Sequence, residues 1–215
     1  MTQLAPGLFT VVMSVWQREL YVPHAIQTVL WQTYANWELL IYADGPHPAT
    51  QAMVAGLLAK RPDLRDRIRY IEGQPVPGTY GNRLRRQGLE EARGEYVCFL
   101  PHDCLLQPQY LETHAAVLAG QPCVSLVRED FWLCPRRGLG DMPEFEGSMP
   151  TKPPGQILPT NIDILCMAFR TQLARECDVF GEDLATCYAG DYWSFDRVRV
   201  KYPVIFTDKL LAAHF

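Results

Sequence analysis

ARGEYVCFLPHDC, residues Ala92 to Cys104, decides the fold. A helical pattern runs out at Gly94, and glycine just past a helix is the usual C-terminal stop. The apolar run Tyr96 to Leu100 follows without alternation, as in a strand buried on both faces. It ends abruptly at Pro101-His102-Asp103. In open α/β sheets ligands gather at the carboxyl ends of the strands. Asp103 is therefore a carboxylate placed where a ligand or metal sits.

Upstream, the chain alternates strand and helix. Leu8 to Val15 reads as a buried strand, and Val22, Ala25, Ile26, Val29 and Leu30 follow the i, i+3, i+4, i+7, i+8 pattern of an amphipathic helix. Trp37 to Ala43 is a second strand, closed by Asp44-Gly45-Pro46. A weaker helix spans Ala52 to Ala59, and a third strand Ile68 to Ile71. Gly81 and Asn82 open a helix to about Arg93, with Asn82 as its N-cap. Downstream, Pro108 starts a helix through about Leu118, and Pro122 to Val127 is another strand. The run Ile162 to Phe169 is strand-like, Tyr188 to Val198 helical, and Pro203 to Phe206 a last short strand. Strands separated by helices imply parallel βαβ units. The expected fold is a single α/β domain over residues 1–215, its central sheet mainly parallel and flanked by helices. Between Cys134 and Thr160 stand six prolines and four glycines. Such stretches in compact domains are lids or binding loops, and a mobile loop over the site is expected there.

With 48% hydrophobic and 20% charged residues, the composition is that of a globular protein. A net charge of −4 argues against a non-specific nucleic-acid binder, which is normally basic. No apolar run approaches the roughly 18–20 residues that span a bilayer. The N-terminal stretch lacks the basic start and cleavage site of a secretory signal, so a cytoplasmic location is expected. Among the seven cysteines, Cys98, Cys123 and Cys166 lie in or beside apolar runs and read as buried free thiols. The standard Cys/His spacings of zinc sites do not occur.

Two acids end strands, Asp44 and Asp103. Asp-Gly after a strand is an ordinary turn signal, and for Asp44 alone that reading comes first. For Asp103, Pro101 stops the strand and leaves the carboxylate at the sheet's edge, where function is the stronger reading.

Three strings resemble segments of the family 2 glycosyltransferases of the GT-A (Rossmann-like) fold. TVLWQTYANWELL, with Gln32-Thr33-Tyr34 and Trp37-Glu38, is similar to that family's S-x-L-x-Q-T-Y-x-x-W-E hinge, and Asp44-Gly45 follows at the end of strand two. RRQGLEEARGEYVCFLPHD is similar to its A-R-N-x-G-I-x-x-A-x-G-E-Y-I-x-F-L-D-x-D segment. FGEDLATCYAGDYWSFDRV is similar to its acceptor-side E-D-x-x-x-x-x-R helix. The resemblance covers most of the chain except residues 120 to 160.

The resemblance implies a nucleotide-sugar-binding half, residues 1–120, and an acceptor-side half, residues 121–215. It implies an inverting transfer of a sugar from a nucleoside-diphosphate-sugar donor, UDP-sugar favoured, to the hydroxyl of a glycan or other acceptor. Position by position, Asp44 matches the Asp that helps hold the base. Asp103 matches the D-x-D residue that ligates Mn²⁺ or Mg²⁺ on the diphosphate. Asp191 matches the general base, and His214, by position only, a C-terminal histidine that completes the metal site. Arg83, Arg85 and Arg86 are placed to add cationic contacts to the diphosphate; a solvated helix face is the competing reading. Trp132, at the mouth of the Pro/Gly-rich loop, and Trp193, beside Asp191, offer faces for a sugar ring, with core packing as the alternative.

The chain departs from the pattern in several places. Ala43 stands for the first Asp of Asp-Asp-Gly, Pro101 for the first Asp of D-x-D, and Cys104 for an acid often found after it. Arg86 replaces the Asn of A-R-N, and Gly190 the Glu before the base. His102 either supplies a nitrogen ligand, which suits Mn²⁺ better than Mg²⁺, or stands exposed and unliganded. The missing acids leave a second reading open, a non-catalytic domain that binds a nucleotide or glycan. A third, a sugar-1-phosphate nucleotidyltransferase, would need a glycine-rich basic loop after strand one, where Ser14-Val15-Trp16-Gln17-Arg18 has no glycine. A dinucleotide-binding dehydrogenase lacks its G-x-G-x-x-G signal.

Overall fold

The computed structural model describes residues 3–17, 19–130 and 162–214. Its strands are β1 (Ala5–Val15), β2 (Trp37–Ala43), β3 (Ile68–Glu72), β4 (Gly94–Pro101), β5 (Cys104–Leu106), β6 (Val124–Asp130), β7 (Met167–Arg170) and β8 (Val204–His214). The helices are α1 (Val22–Leu30), α2 (Pro48–Lys60), α3 (Asn82–Glu91), α4 (Tyr110–Gly120), α5 (Thr171–Glu176) and α6 (Gly190–Arg199). All eight strands form one sheet in the order β3-β2-β1-β4-β7-β6-β8-β5. Strands β3, β2, β1 and β4 are mutually parallel, the βαβ block expected from the alternating pattern. Beyond β4 the sheet is mixed: β7 is antiparallel to both neighbours, β6 and β8 are parallel, and β5 is antiparallel to β8.

Alternate residues of each central strand feed opposite cores, because the side-chain period of a strand is two. Val11, Met13, Leu39, Ile41, Cys98 and Leu100 pack with α1, α2 and α4 on one face. Val12, Leu40, Tyr42, Val97 and Phe99 pack with α3, α5 and α6 on the other. Both faces are covered, which explains why these strands carry unbroken apolar runs.

The hinge residues are scaffold. Gln32 donates from Nε2 to the carbonyls of Thr28 and Gln107 (3.0 and 2.8 Å) and accepts from the Leu111 N–H (2.9 Å). The Tyr34 hydroxyl donates to the Gly7 carbonyl, and the Arg67 guanidinium lies 3.7 Å over the Trp37 ring. The buried Glu38 carboxylate accepts from Thr10 Oγ1 (2.7 Å), the Arg93 N–H (2.9 Å) and Arg93 Nε (2.7 Å). It thereby ties β1 and β2 to the segment that enters β4.

Several expectations need correction. Gly94 is not a left-handed helix stop: α3 ends at Glu91 and Gly94 already begins β4. Its glycine is required by close approach, since a Cβ there would lie 2.5 Å from the Leu8 carbonyl oxygen and 2.8 Å from the Thr10 nitrogen. Asn82 does not cap α3. Gly81 does, at φ 79°, and the Asn82 side chain turns to the carbonyls of Leu184 and Cys187 (2.8 and 2.9 Å). The run Ile162 to Phe169 holds a 3₁₀ turn, Ile164–Cys166, before β7. Strand β8 extends eight residues past Phe206, to His214, while β5 and α5 escaped the sequence reading. The Pro/Gly-rich stretch expected to form a loop over the site lies outside the described residues.

Gly94→Ala is expected to cost about 1–3 kcal/mol, the usual penalty of overpacking, because the obstruction is backbone. Gly56→Ala on α2 is the control of opposite sign. Nothing lies within 4 Å of a Cβ there, and a helical Gly→Ala exchange gains up to about 1 kcal/mol. Denaturant unfolding of the two variants measures both.

Candidate active site

Three side chains converge where β4 hands over to β5. Asp103 lies in the turn, Cys104 opens β5, and His214 closes β8, directly opposite Cys104 on the antiparallel ladder. Cys104 Sγ is 3.2 Å from His214 Nδ1 and 3.8 Å from Asp103 Oδ1. Their ligand atoms all lie within 4.8 Å of one another, the one such group of His, Cys, Asp or Glu among the described residues. The donor set therefore fits a divalent cation. Burial pushes the Cys104 thiol above its ordinary value, partly offset by His214.

A residue that sequence reasoning missed stands behind His214. Asp163 Oδ2 lies 3.0 Å from His214 Nε2, and its Oδ1 accepts from the Leu165 N–H at 2.8 Å, capping the 3₁₀ turn. Burial acts to raise the Asp163 carboxyl. The His214 hydrogen bond and charge, the Leu165 N–H and Arg85 outweigh it and hold the group below its usual range. A carboxylate on one nitrogen of an imidazole orients the ring and leaves the other nitrogen as the ligand. Here that other nitrogen is Nδ1, 3.2 Å from Cys104 Sγ; Nε2 lies 3.6 Å from the same sulfur, which therefore sits beside the ring. The available signal was an Asp immediately before an apolar run, a helix-cap pattern.

Asp191 sits in the first turn of α6. Its Oδ1 accepts from Arg85 Nη1 at 3.1 Å and its Oδ2 from the Ile164 N–H at 3.2 Å. Although 22% of its side chain reaches solvent, burial dominates and pushes the carboxyl up to about 6, against the lowering pull of Arg85 and with a further push from Asp163. Arg85 is buried and also donates to Asn82 Oδ1 (3.1 Å). It is thus partnered by Asp191 within the chain. Gly190, where the resemblance leads one to expect an acid, has a steric reason: a Cβ there would lie 2.5 Å from Asn82 Nδ2.

Asp44 follows Ala43 at the carboxyl end of β2, two strands from Pro101 across β1, about 10 Å at normal strand spacing. Its Oδ1 accepts from the Val76 N–H at 3.2 Å, and Gly45 follows at φ 91°. It also lines a cavity of about 90 Å³ with Gln74, Val76, Thr79, Arg83 and Gln87. That is small beside the roughly 300–1,000 Å³ of ordinary ligand pockets.

Other expected residues are elsewhere. His102 is neither exposed nor part of the three-residue cluster: it is buried, with Nδ1 3.2 Å from the Ser14 carbonyl. Arg86 faces the acids Glu90, Asp178 and Glu182 (3.1, 3.9 and 3.7 Å), because successive helical residues point about 100° apart. Trp193 is 44% exposed, edge-on to Tyr192 at 5.2 Å. Tyr80 and Tyr188, which the sequence did not single out, form an exposed edge-to-face pair at 5.4 Å. Tyr80 holds a left-handed φ of 49°, the kind of backbone strain that gathers at ligand sites. Trp132 lies outside the described residues. No described helix is long and apolar enough to cross a membrane.

Solved structures share this architecture. Staphylococcus aureus TarS, residues 1–349, superposes with a TM-score of 0.67 at 17% identity, over 96% of this chain and 60% of its own. The same protein in complex with UDP gives a TM-score of 0.68. The mannosyltransferase PcManGT of Pyrobaculum calidifontis, in complex with GDP-Man and Mn²⁺, gives 0.68 at 12% identity over 96% of this chain and 56% of that one. The fold is that of the GT-A glycosyltransferases. Among curated relatives, an uncharacterised glycosyltransferase of Haemophilus influenzae is 29% identical over 105 residues, 49% of this chain and 40% of its own length. Another from Rickettsia felis is 26% identical over 217 residues, 95% of this chain and 33% of its own. The chain thus spans less than half the length of these relatives. Residues 10–170 match the family model for glycosyl transferase family 2, and the chain belongs to that family.

Proposed function

We propose that this domain transfers a sugar, with inversion, from a nucleoside-diphosphate-sugar to an acceptor hydroxyl, with Asp191 as the general base. The observation that carries this reading is the Asp191 carboxylate itself, half-buried and held by Arg85 and the Ile164 N–H. An acceptor hydroxyl is a poor nucleophile, and a carboxylate whose proton affinity lies near working pH is the suitable group to take its proton. One base on the face opposite the leaving group gives inversion. Arg85 keeps the Asp191 carboxylate oriented and moderates the cost of its charge.

Asp103 and His214 would hold a divalent cation, Mn²⁺ or Mg²⁺, which as a Lewis acid neutralises the charge that develops on the leaving diphosphate. Asp163 fixes the His214 ring for that role. Asp44 and Arg83 border the subsite suited to the base end of the donor, and UDP-sugars are the favoured donors. The complexes of TarS with UDP and with UDP-GlcNAc and of PcManGT with GDP-Man and Mn²⁺ support the donor class and the cation. The exposed rings of Trp193, Tyr80 and Tyr188 suit stacking on an acceptor glycan.

Calorimetry with UDP-, GDP- and dTDP-sugars, with and without Mn²⁺, followed by donor-hydrolysis and transfer assays, tests the proposal. Metal-dependent binding of one donor with turnover is the expected result. Binding without turnover for any donor and acceptor would favour a non-catalytic binding domain, a reading motivated by Ala43, Pro101 and Gly190 in place of acids. No binding of any donor would overturn both.

A further inference from the structure

The pairing of Cys104 with His214 goes beyond the acids on which the proposed donor site rests. We propose that Cys104 is a thiolate ligand, so that Asp103, Cys104 and His214 form a three-residue site for a thiophilic divalent cation such as Zn²⁺ or Co²⁺. This deepens the proposed function, since it takes the cation to sit at Asp103 and His214.

The spacing carries the argument. A tetrahedral ion with Zn–S of about 2.3 Å and Zn–N of about 2.0–2.1 Å holds its sulfur and nitrogen about 3.6 Å apart, and its sulfur and carboxylate oxygen nearly the same. Cys104 Sγ lies 3.2 Å from His214 Nδ1 and 3.8 Å from Asp103 Oδ1. The pairwise spacings are close to those around a shared ion, and a tilt of the His214 ring, which brings the Nδ1 lone pair onto that ion, completes the set. The ladder fixes them: Cys104 and His214 are opposite residues of β5 and β8, whose side chains therefore share one face of the sheet. Asp163 engages Nε2 at 3.0 Å, which holds the ring proton there and leaves Nδ1 as the ligand atom, as outer-shell carboxylates do for metal-bound histidines. Asp163 is thus a positioning residue. Three protein ligands with one position left for a non-protein ligand is the pattern of catalytic rather than structural zinc sites. One sulfur and one imidazole also shift preference from Mg²⁺ and Mn²⁺ toward softer ions. Binding replaces the Sγ–H proton by the cation and releases that proton to solvent.

The test is Co²⁺ titration of the metal-stripped chain, followed by absorption. The expected result is a saturable sulfur-to-cobalt charge-transfer band at one ion per chain, bleached by Zn²⁺. Cys104→Ser should lose the band and weaken Zn²⁺ binding by more than about 10-fold, the lower end of what even an outer-shell partner contributes. Mn²⁺ binding should change much less. Asp163→Asn should retain the band with weaker Co²⁺ affinity, which keeps the test valid if Cys104→Ser folds poorly. Co²⁺ binding without the band, a band that persists in Cys104→Ser, or no metal binding at all would overturn the inference. If Mn²⁺-dependent donor binding is present while the band is missing, only the thiolate fails. If the band is present and no donor binds, the donor-site reading fails and the metal site stands.

Discussion

Asp191→Asn is expected to slow transfer by about 10²–10⁴-fold, the usual contribution of a general base, and to leave donor binding largely intact. Asn keeps the shape but has a single acceptor oxygen, so it serves Arg85 or the Ile164 N–H and not both; the unfolding free energy of the variant, measured alongside, separates that lost hydrogen bond from proton abstraction. The wild-type pH profile adds a second readout. With the carboxyl pushed up to about 6, kcat/KM should rise with pH through about 6 and level off above it, because only the ionised group accepts a proton. The same shift acts on stability with opposite sign. The folded value lies above the ordinary 3.8, so this group's stabilisation is complete below about pH 4 and fades as pH rises through about 6. Asp191→Asn should flatten that dependence between pH 4 and 7 in denaturant titrations. Unchanged turnover in this variant would sink the base assignment.

The second large effect is expected at Asp103. Asp103→Ala should abolish the metal-dependent part of donor affinity, a loss on the order of 10²-fold or more, since even outer-shell partners of metals are worth about 10–100-fold. The residue lies in the turn between β4 and β5, so the fold should tolerate the exchange, with unfolding free energy within about 0.5 kcal/mol of wild type. Calorimetry with a UDP- or GDP-sugar, with and without Mn²⁺, measures it. An Asp103→Ala chain whose donor binding still responds fully to Mn²⁺ would place the cation elsewhere.

How much of this was legible depended on how locally each feature is encoded. The strand Trp37–Ala43 was read to the residue because burial on both faces leaves an apolar run that turn residues bound. Strand β8 hid because Asp208 and Lys209 expose its middle, and β5 hid because three residues carry no period. Asp103 and Asp191 were singled out through strings resembling a family, yet several residues of those strings are scaffold: Gln32 joins α1 to the start of α4, and Tyr34, Trp37 and Glu38 brace the first strands. Asp163 was passed over because the run that contains it read as strand, which masked its cap signal. Cys104 and His214 lie 110 residues apart, and ligand-spacing rules cannot see a pair that only a β-ladder assembles.

The contact between Gly190 and Asn82 has a consequence for how such a site changes over generations. Asn82 fills the space that any side chain at position 190 would occupy, and its amide joins the start of α3 to the carbonyls of Leu184 and Cys187. An acid beside Asp191 therefore requires the Asn82 side chain to move aside or shrink. Either change disturbs the two hydrogen bonds of its amide and a partner of Arg85, so an exchange at 190 should be better tolerated in a chain already shortened at 82. Exchanges at the two positions are therefore coupled through one shared volume.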